Sequence, residues 1–216
     1  MKKLVIFDMD GTLLDSVPDI LESINKMLAY FGYPPVDKER ILSAIGQGGE
    51  AFVRAMLPEG HEEEVPVCRP VYNEIYRDSG SPKTALFRGI RAALLRLKEA
   101  GVRLAILSNK PHKNTLAIYN VKLGSFRFDM VFGNREGVPA KPDASAVFEI
   151  LKALGVAPED AALVGDGETD MLAAKNSGID GIAVSWGYRS PEFLMRNGAK
   201  YVVNTPREMA DLVLSL

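Results

Sequence analysis

The sequence predicts an α/β fold: a parallel sheet with helices on both faces, and a helical module inserted early in the chain. Three observations lead there. Short apolar runs of strand length recur at 4–7, 102–107, 130–132, 161–164, 181–184 and 201–203. Helical patterns separate most of the later ones, and strands alternating with amphipathic helices imply parallel pairing. Residues from about 17 to 82, by contrast, carry helical patterns only.

The first run, Leu4 to Phe7, is continuously apolar and rich in branched side chains. It reads as a strand buried on both faces that ends in a turn at Asp8-Met9-Asp10-Gly11. Helices follow at 20–31, 38–44 and 50–57, and in a stretch ending near Arg77. Pro66 and Pro70 interrupt the pattern of that last stretch, because proline removes a helix donor. Asp15-Ser16-Val17-Pro18 and Ser79-Gly80-Ser81-Pro82 read as linkers. The expected division is therefore an α/β core of residues 1–16 and 83–216, with a helical unit of 17–82.

Beyond the second linker, Ala93, Leu94, Leu97 and Ala100 repeat at helical spacing, and Gly101 stands where a C-cap is expected. Phe148, Leu151 and Leu154 repeat the pattern before Gly155. Residues 171–175 repeat it again before Gly178.

Composition narrows the function classes. The 216 residues suit one domain with an inserted module, or two small domains. Lys plus Arg is 26 and Asp plus Glu is 28, a net charge of −2. That balance gives no general pull toward nucleic acid or an anionic membrane. The single cysteine, Cys68, cannot form an intramolecular disulfide and has no Cys or His at metal-ligand spacing. It is expected to be a packed thiol in a reducing compartment. The first apolar run is cut short by Asp8, too early for a signal peptide, and no run approaches the ~20 residues of a membrane helix. A cytoplasmic protein is expected.

Open parallel sheets bind ligands at the carboxyl ends of their strands. The first strand ends in Asp8-Met9-Asp10-Gly11-Thr12, and the second in Ser108-Asn109-Lys110. The third leads to Lys141-Pro142, and the fourth ends in Gly165-Asp166-Gly167-Glu168-Thr169-Asp170. Four carboxylates, a hydroxyl and a lysine would meet on one edge. Crowded carboxylates repel unless a cation neutralises them. A set of oxygen ligands without His or Cys suits magnesium. A lysine beside such a cation offsets phosphoryl charge, and a carboxylate can attack phosphorus to form an aspartyl phosphate. Asp10, carried back by the turn at Gly11, can serve as acid and base.

Each piece alone has a plainer reading. Asp-Gly is a common turn, Lys141 alone is a surface lysine, and Asp166 and Asp170 can cap a helix. An EF-hand loop starting at Asp8 fails, because Leu13 stands where glycine is needed and Asp19 where glutamate is needed. It is the joint occurrence at successive strand ends that points to chemistry.

Asp8-Met9-Asp10-Gly11-Thr12-Leu13-Leu14-Asp15-Ser16 resembles the first motif of the haloacid dehalogenase superfamily. Ser108-Asn109-Lys110-Pro111 resembles the second, Lys141-Pro142 the third, and Gly165-Asp166-Gly167-Glu168-Thr169-Asp170 the fourth. The resemblance spans nearly the whole chain. It implies a Rossmann-like core with an inserted helical cap, and magnesium (Mg2+) as cofactor. Asp8 would be nucleophile and metal ligand. Asp10 would be acid and base, and would bind the metal through its carbonyl. Ser108 and Asn109 would hold the phosphoryl group, and Lys141 would steady it. Asp166 would bind the metal directly, and Asp170 would hold a metal-bound water.

Within the superfamily the chain looks most like phosphoglycolate phosphatases, through Asp15-Ser16-Val17-Pro18-Asp19, Ile45-Gly46-Gln47-Gly48 and Gly187-Tyr188. Ser108 stands where many members have threonine, and Ala144 where proline is frequent. Dehalogenases of the superfamily lack the second aspartate, and phosphonate-cleaving members use a cap lysine absent from Gly46-Gln47-Gly48-Gly49. The resemblance implies a small phosphorylated metabolite as partner, 2-phosphoglycolate first, and a monomer or homodimer. Gly46, Gln47 and Gly48 are the expected specificity loop, where glycine lets backbone approach a ligand, though a simple turn fits them too. Pyrophosphatases and phosphosugar mutases of the β-phosphoglucomutase type share the motifs. A phospho-acceptor module of the receiver kind shares the clustered acids, but leaves an insert of ~65 residues without a role, whereas a water-excluding lid uses it. Arg54, His61 and His112 have no evident partner in the sequence. His112 is expected to start a helix, Trp186 to pack, and Tyr188 to flank the cleft.

Overall fold

The computed structural model describes residues 1–216. Six parallel strands form the central sheet: β1 (Leu4–Phe7), β4 (Arg103–Pro111), β5 (Met130–Asn134), β6 (Ala161–Gly165), β7 (Asp180–Val184) and β8 (Tyr201–Val203). Their order is β5-β4-β1-β6-β7-β8, so β1 lies inside the sheet, flanked by β4 and β6. The chain winds outward from β1 in both directions, and the switch point falls at its carboxyl end. Phe7 pairs in register with Ile106 on one side and Val164 on the other. That register brings the residues just after Phe7, Leu107 and Val164 to one edge.

All four β1 residues are fully buried, as a strand covered on both faces requires. Alternate side chains feed two cores. Val5 and Phe7 point into a layer with α5 (Ile90–Glu99) and α10 (Pro206–Ser215), including Leu94, Leu97, Met209 and Val213. Leu4 and Ile6 point into the opposite layer with α7 (Ser145–Leu154) and α8 (Glu168–Ser177), including Val147, Ile150 and Met171. Each large apolar side chain taken out of water contributes about 1.5–3 kcal/mol. The α/β expectation, a parallel sheet with helices on both faces, is borne out.

Between β2 (Leu14–Asp15) and β3 (Ala85–Leu86) the chain is helical throughout: α1 (Val17–Tyr30), α2 (Lys38–Ala44), α3 (Gly49–Met56) and α4 (Val65–Asp78), with one short 3-10 turn. Pro66 sits in the first turn of α4, where its missing N–H costs nothing. Pro70 lies inside the same helix, which continues because Cys68, Tyr72 and Tyr76 anchor one face in the core.

Three features depart from the sequence reading. The crossings into and out of the insert run through a short antiparallel ribbon, Leu14 with Leu86 and Asp15 with Ala85, which begins at the edge of the first linker and lies just beyond the second. Two-residue strands have no periodicity to detect. Buried Asp19 ties the crossings further, accepting from the Thr84 N–H and hydroxyl, each at 2.6 Å, and from Lys83 N at 3.3 Å. Phe148 is half exposed, and the buried face of α7 runs through Ala146, Val147, Ile150 and Leu151 instead. The second strand also extends to Pro111, and α6 (His112–Ile118) begins immediately after it, as expected for His112. No helix is long and apolar enough to cross a membrane.

Candidate active site

Asp8 follows β1 directly, held by its N–H bond to Val164 O at 2.9 Å. Asp166 follows β6 one strand away. Asp170 lies in the first turn of α8, where its Oδ2 accepts from Gly167 N at 2.9 Å. A carboxylate at this helix end meets free N–H groups and the positive end of the dipole. The helix-capping reading of Asp170 is thus correct, and its other oxygen faces the site. Asp8, Asp166 and Asp170 each present a carboxylate oxygen within 4.8 Å of the others.

Lys141 is buried between them. Its Nζ donates to Asp8 Oδ1 at 2.7 Å, Asp170 Oδ1 at 2.6 Å and Leu107 O at 2.6 Å, so all three donors are used. Burial alone would lower the ammonium pKa, but the charges of Asp170 and Asp8 outweigh it and raise the value. Asn109 fixes the Lys141 backbone. Its Oδ1 accepts from Lys141 N and its Nδ2 donates to Lys141 O, both at 2.9 Å. The same Nδ2 donates to Gly46 O of the insert, also at 2.9 Å.

Asp166 is enclosed by backbone. Its Oδ1 accepts from Thr12 Oγ1 at 2.8 Å and its Oδ2 from Tyr188 N at 2.9 Å. Gly11, at φ +89°, and Gly187 pass so close that a Cβ on either would lie 2.1 Å from Asp166 atoms. Even so, burial and the charges of Asp8 and Asp170 push Asp166 up to about 8. Burial, opposed by Lys141 and reinforced by Asp170, pushes Asp8 up to about 7. Three carboxylates held this close, with one lysine between them, are short of positive charge. Their all-oxygen donor set fits a hard divalent cation.

Asp10 points away from this triad. Both of its oxygens meet Lys110 Nζ, at 2.8 and 2.7 Å, and Ser16 Oγ donates to Oδ1. Lys110 also donates to Tyr76 Oη of α4 at 2.9 Å and lies 4.4 Å from the centre of that ring. Arg189 reaches across to the insert, donating to Leu42 O at 2.6 Å and Ile45 O at 3.4 Å at the end of α2, where a cation meets unpaired carbonyls.

A cleft of about 70 Å³ lies between sheet edge and insert. Asp8, Asp10, Ser108, Asn109, Lys141, Asp166, Asp170, Gly46 and Gly48 all line it, with Ile20, Phe52, Tyr72 and Tyr188 among its walls. Gln47 does not. It borders the neighbouring groove, and its side chain turns back to Ser43 O. Glycines bend that loop toward the cleft, and the longer side chain faces outward. Arg54, His61 and His112 lie outside the cleft and have structural partners. Arg54 bonds Glu50 and Glu62 O, His61 meets Tyr33 and Glu64, and His112 Nδ1 accepts from Gly133 N. Trp186 packs on the core and donates to Thr12 O at 3.0 Å. Lys110 and Arg189 were missed as cleft residues. Lys110 stood within a motif, and its contact with Asp10 comes from a turn folding back over 100 residues of separation.

A sequence profile of the family described as haloacid dehalogenase-like hydrolase matches residues 5–184. Phosphoglycolate phosphatase 1 of Pseudomonas aeruginosa is 34% identical over 97% of this chain and 79% of its own length. The phosphoglycolate phosphatase of Chromobacterium violaceum is 33% identical over 98% and 96%. Among solved structures, a candidate phosphoglycolate phosphatase from Lactobacillus delbrueckii superposes with a TM-score of 0.90 at 32% identity, covering 99% of both chains. A haloacid dehalogenase-like family protein from Streptococcus pneumoniae superposes at 0.84 with 25% identity over 98% of each.

Proposed function

The chain belongs to the haloacid dehalogenase-like hydrolases and is a phosphatase, and from that premise we propose that it hydrolyses 2-phosphoglycolate, or a close small phosphomonoester, through an aspartyl phosphate on Asp8. The observation that carries the reading is Lys141 Nζ lying 2.7 Å from Asp8 and 2.6 Å from Asp170, with Asp166 completing the acidic triad. A nucleophilic carboxylate, a fixed cation and a divalent-metal site then share one end of the cleft.

Magnesium held by Asp8, Asp166 and the Asp10 carbonyl, with Asp170 beside it, would neutralise charge on the phosphoryl oxygens. The residues do the rest. Ser108 Oγ and the backbone of Asn109 donate to those oxygens, and Lys141 offsets their charge. An Asp8 carboxylate oxygen attacks phosphorus as the bond to the ester oxygen breaks. That oxygen leaves with a proton from Asp10. Asp10 then takes a proton from water as the water attacks phosphorus, which frees Asp8 and inorganic phosphate. The insert acts as a cap: with Gly46 held by Asn109 and α2 held by Arg189, it excludes bulk water from the intermediate. Membership of a hydrolase family sets aside the non-catalytic phospho-acceptor reading. A cytoplasmic setting is part of this proposal, and the lone buried cysteine supports a reducing compartment.

The test is phosphate release from 2-phosphoglycolate, pyrophosphate, β-glucose 1-phosphate and p-nitrophenyl phosphate, with and without magnesium, beside Asp8→Asn. Magnesium-dependent turnover that is lost in Asp8→Asn is expected, with 2-phosphoglycolate preferred. Preference for pyrophosphate, or isomerisation of the sugar phosphate in place of phosphate release, would overturn the substrate assignment.

A further inference from the structure

We propose that Lys110 selects the substrate by its leaving group, pairing with a carboxylate carried one carbon from the ester oxygen. The inference deepens the phosphatase reading and rests on it. Three cations line the cleft: Lys141, Arg189 and Lys110. Lys141 faces the phosphoryl end, with its donors on Asp8, Asp170 and Leu107 O. Arg189 is turned toward the insert, donating to the carbonyls of Leu42 and Ile45 at the end of α2, with Glu168 3.5 Å away. Lys110 alone stands on the leaving-group side, because both of its contacts to Asp10 are to the side chain that must touch the ester oxygen.

The surroundings of Lys110 suit a small anion and little else. Its side chain is 7% exposed, braced between Asp10 of the core and the hydroxyl and ring face of Tyr76 in the insert. Ile20, Phe52 and Tyr72 supply apolar wall. A carboxylate entering such a wall loses its water and is unfavourable unless it meets a cation. Asp10 keeps a second donor in Ser16 Oγ, so it stays placed when Lys110 shares its protons with a substrate. A carboxylate on the carbon next to the ester oxygen, as in a 2-phospho-acid, falls where Asp10 and Lys110 meet.

The experiment compares kcat/KM for 2-phosphoglycolate and for 2-hydroxyethyl phosphate, a counterpart of similar size whose leaving group is uncharged, in the wild type and in Lys110→Met. The wild type is expected to favour the acid by about tenfold or more, and Lys110→Met to lower that ratio by about tenfold or more. A residue that merely holds Asp10 would lower both substrates together and leave the ratio in place, which would overturn the proposal. A wild-type preference below about tenfold would overturn it as well, and that measurement stands even if Lys110→Met does not fold. Phosphate release from neither substrate by the wild type would instead overturn the phosphatase reading beneath it.

Discussion

The carboxamide of Asn109 donates to Gly46 O across 2.9 Å, joining the tip of β4 to a loop of the helical insert. The same side chain makes two further bonds to the Lys141 backbone. One buried amide therefore aligns the phosphoryl-binding lysine and closes the insert over it.

Asn109→Ala should leave Lys141 N and O without partners in a buried place. Each unsatisfied group costs about 1–3 kcal/mol, so urea unfolding should shift by at least that amount. Turnover should fall about 10²-fold as Lys141 loses its alignment. Unchanged kcat and unchanged urea midpoint would show that the Asn109 bonds do not brace the site.

The raised carboxyls predict a pH-dependent response to metal. In the metal-free protein burial and neighbouring acids hold Asp166 at about 8 and Asp8 at about 7, against an ordinary value of 3.8. Both bind protons more tightly folded than unfolded. Their contribution to stability is full below about pH 4 and is lost as pH rises toward 8. Calorimetry should show magnesium raising Tm more at about pH 8 than at about pH 5, since the metal replaces those protons. In Asp166→Asn this pH dependence should flatten. A magnesium shift of equal size at both pH values would contradict it.

Gly187 has no room for a side chain, because a Cβ there would lie 2.1 Å from Asp166. Gly187→Ala should displace Asp166 and weaken magnesium binding by about 10–100-fold. Titration calorimetry with magnesium alone reads this without turnover. Wild-type affinity in the variant would mean that the loop yields and Asp166 does not.

Movement of the insert requires its two crossings to bend. The linker residues Ser16 to Pro18 and Gly80 to Pro82 would absorb that bending, and Gly80 and Ser81 have φ of 68° and 50°. The Thr84 amide, by contrast, is tied to Asp19. Hydrogen exchange should be fast at Gly80 and Ser81, and slow at Thr84 and in β1. Core-like protection at Gly80 and Ser81 would place the hinge elsewhere.

The strands and the order of the motifs were readable in the sequence because they are local. A strand buried on both faces must be continuously apolar, as Leu4 to Phe7 are, and a parallel strand must be followed by a crossover. The rule that ligands sit at the carboxyl ends of parallel strands brings Asp8, Ser108, Lys141 and Asp166 together from the sequence alone. Long-range pairing was not readable. The two-residue ribbon of β2 and β3 carries no period, and Phe148 lies on the helical pattern yet faces solvent. Lys110 meeting Asp10 and Tyr76, Arg189 capping α2, and Gln47 turning outward depend on how the insert rests on the sheet. The sequence by itself determined which groups reach the sheet edge, since backbone direction and burial follow from neighbouring residues. Only the tertiary structure decided which of those groups touch, because contacts within about 3 Å are set by the packing of segments far apart in the chain.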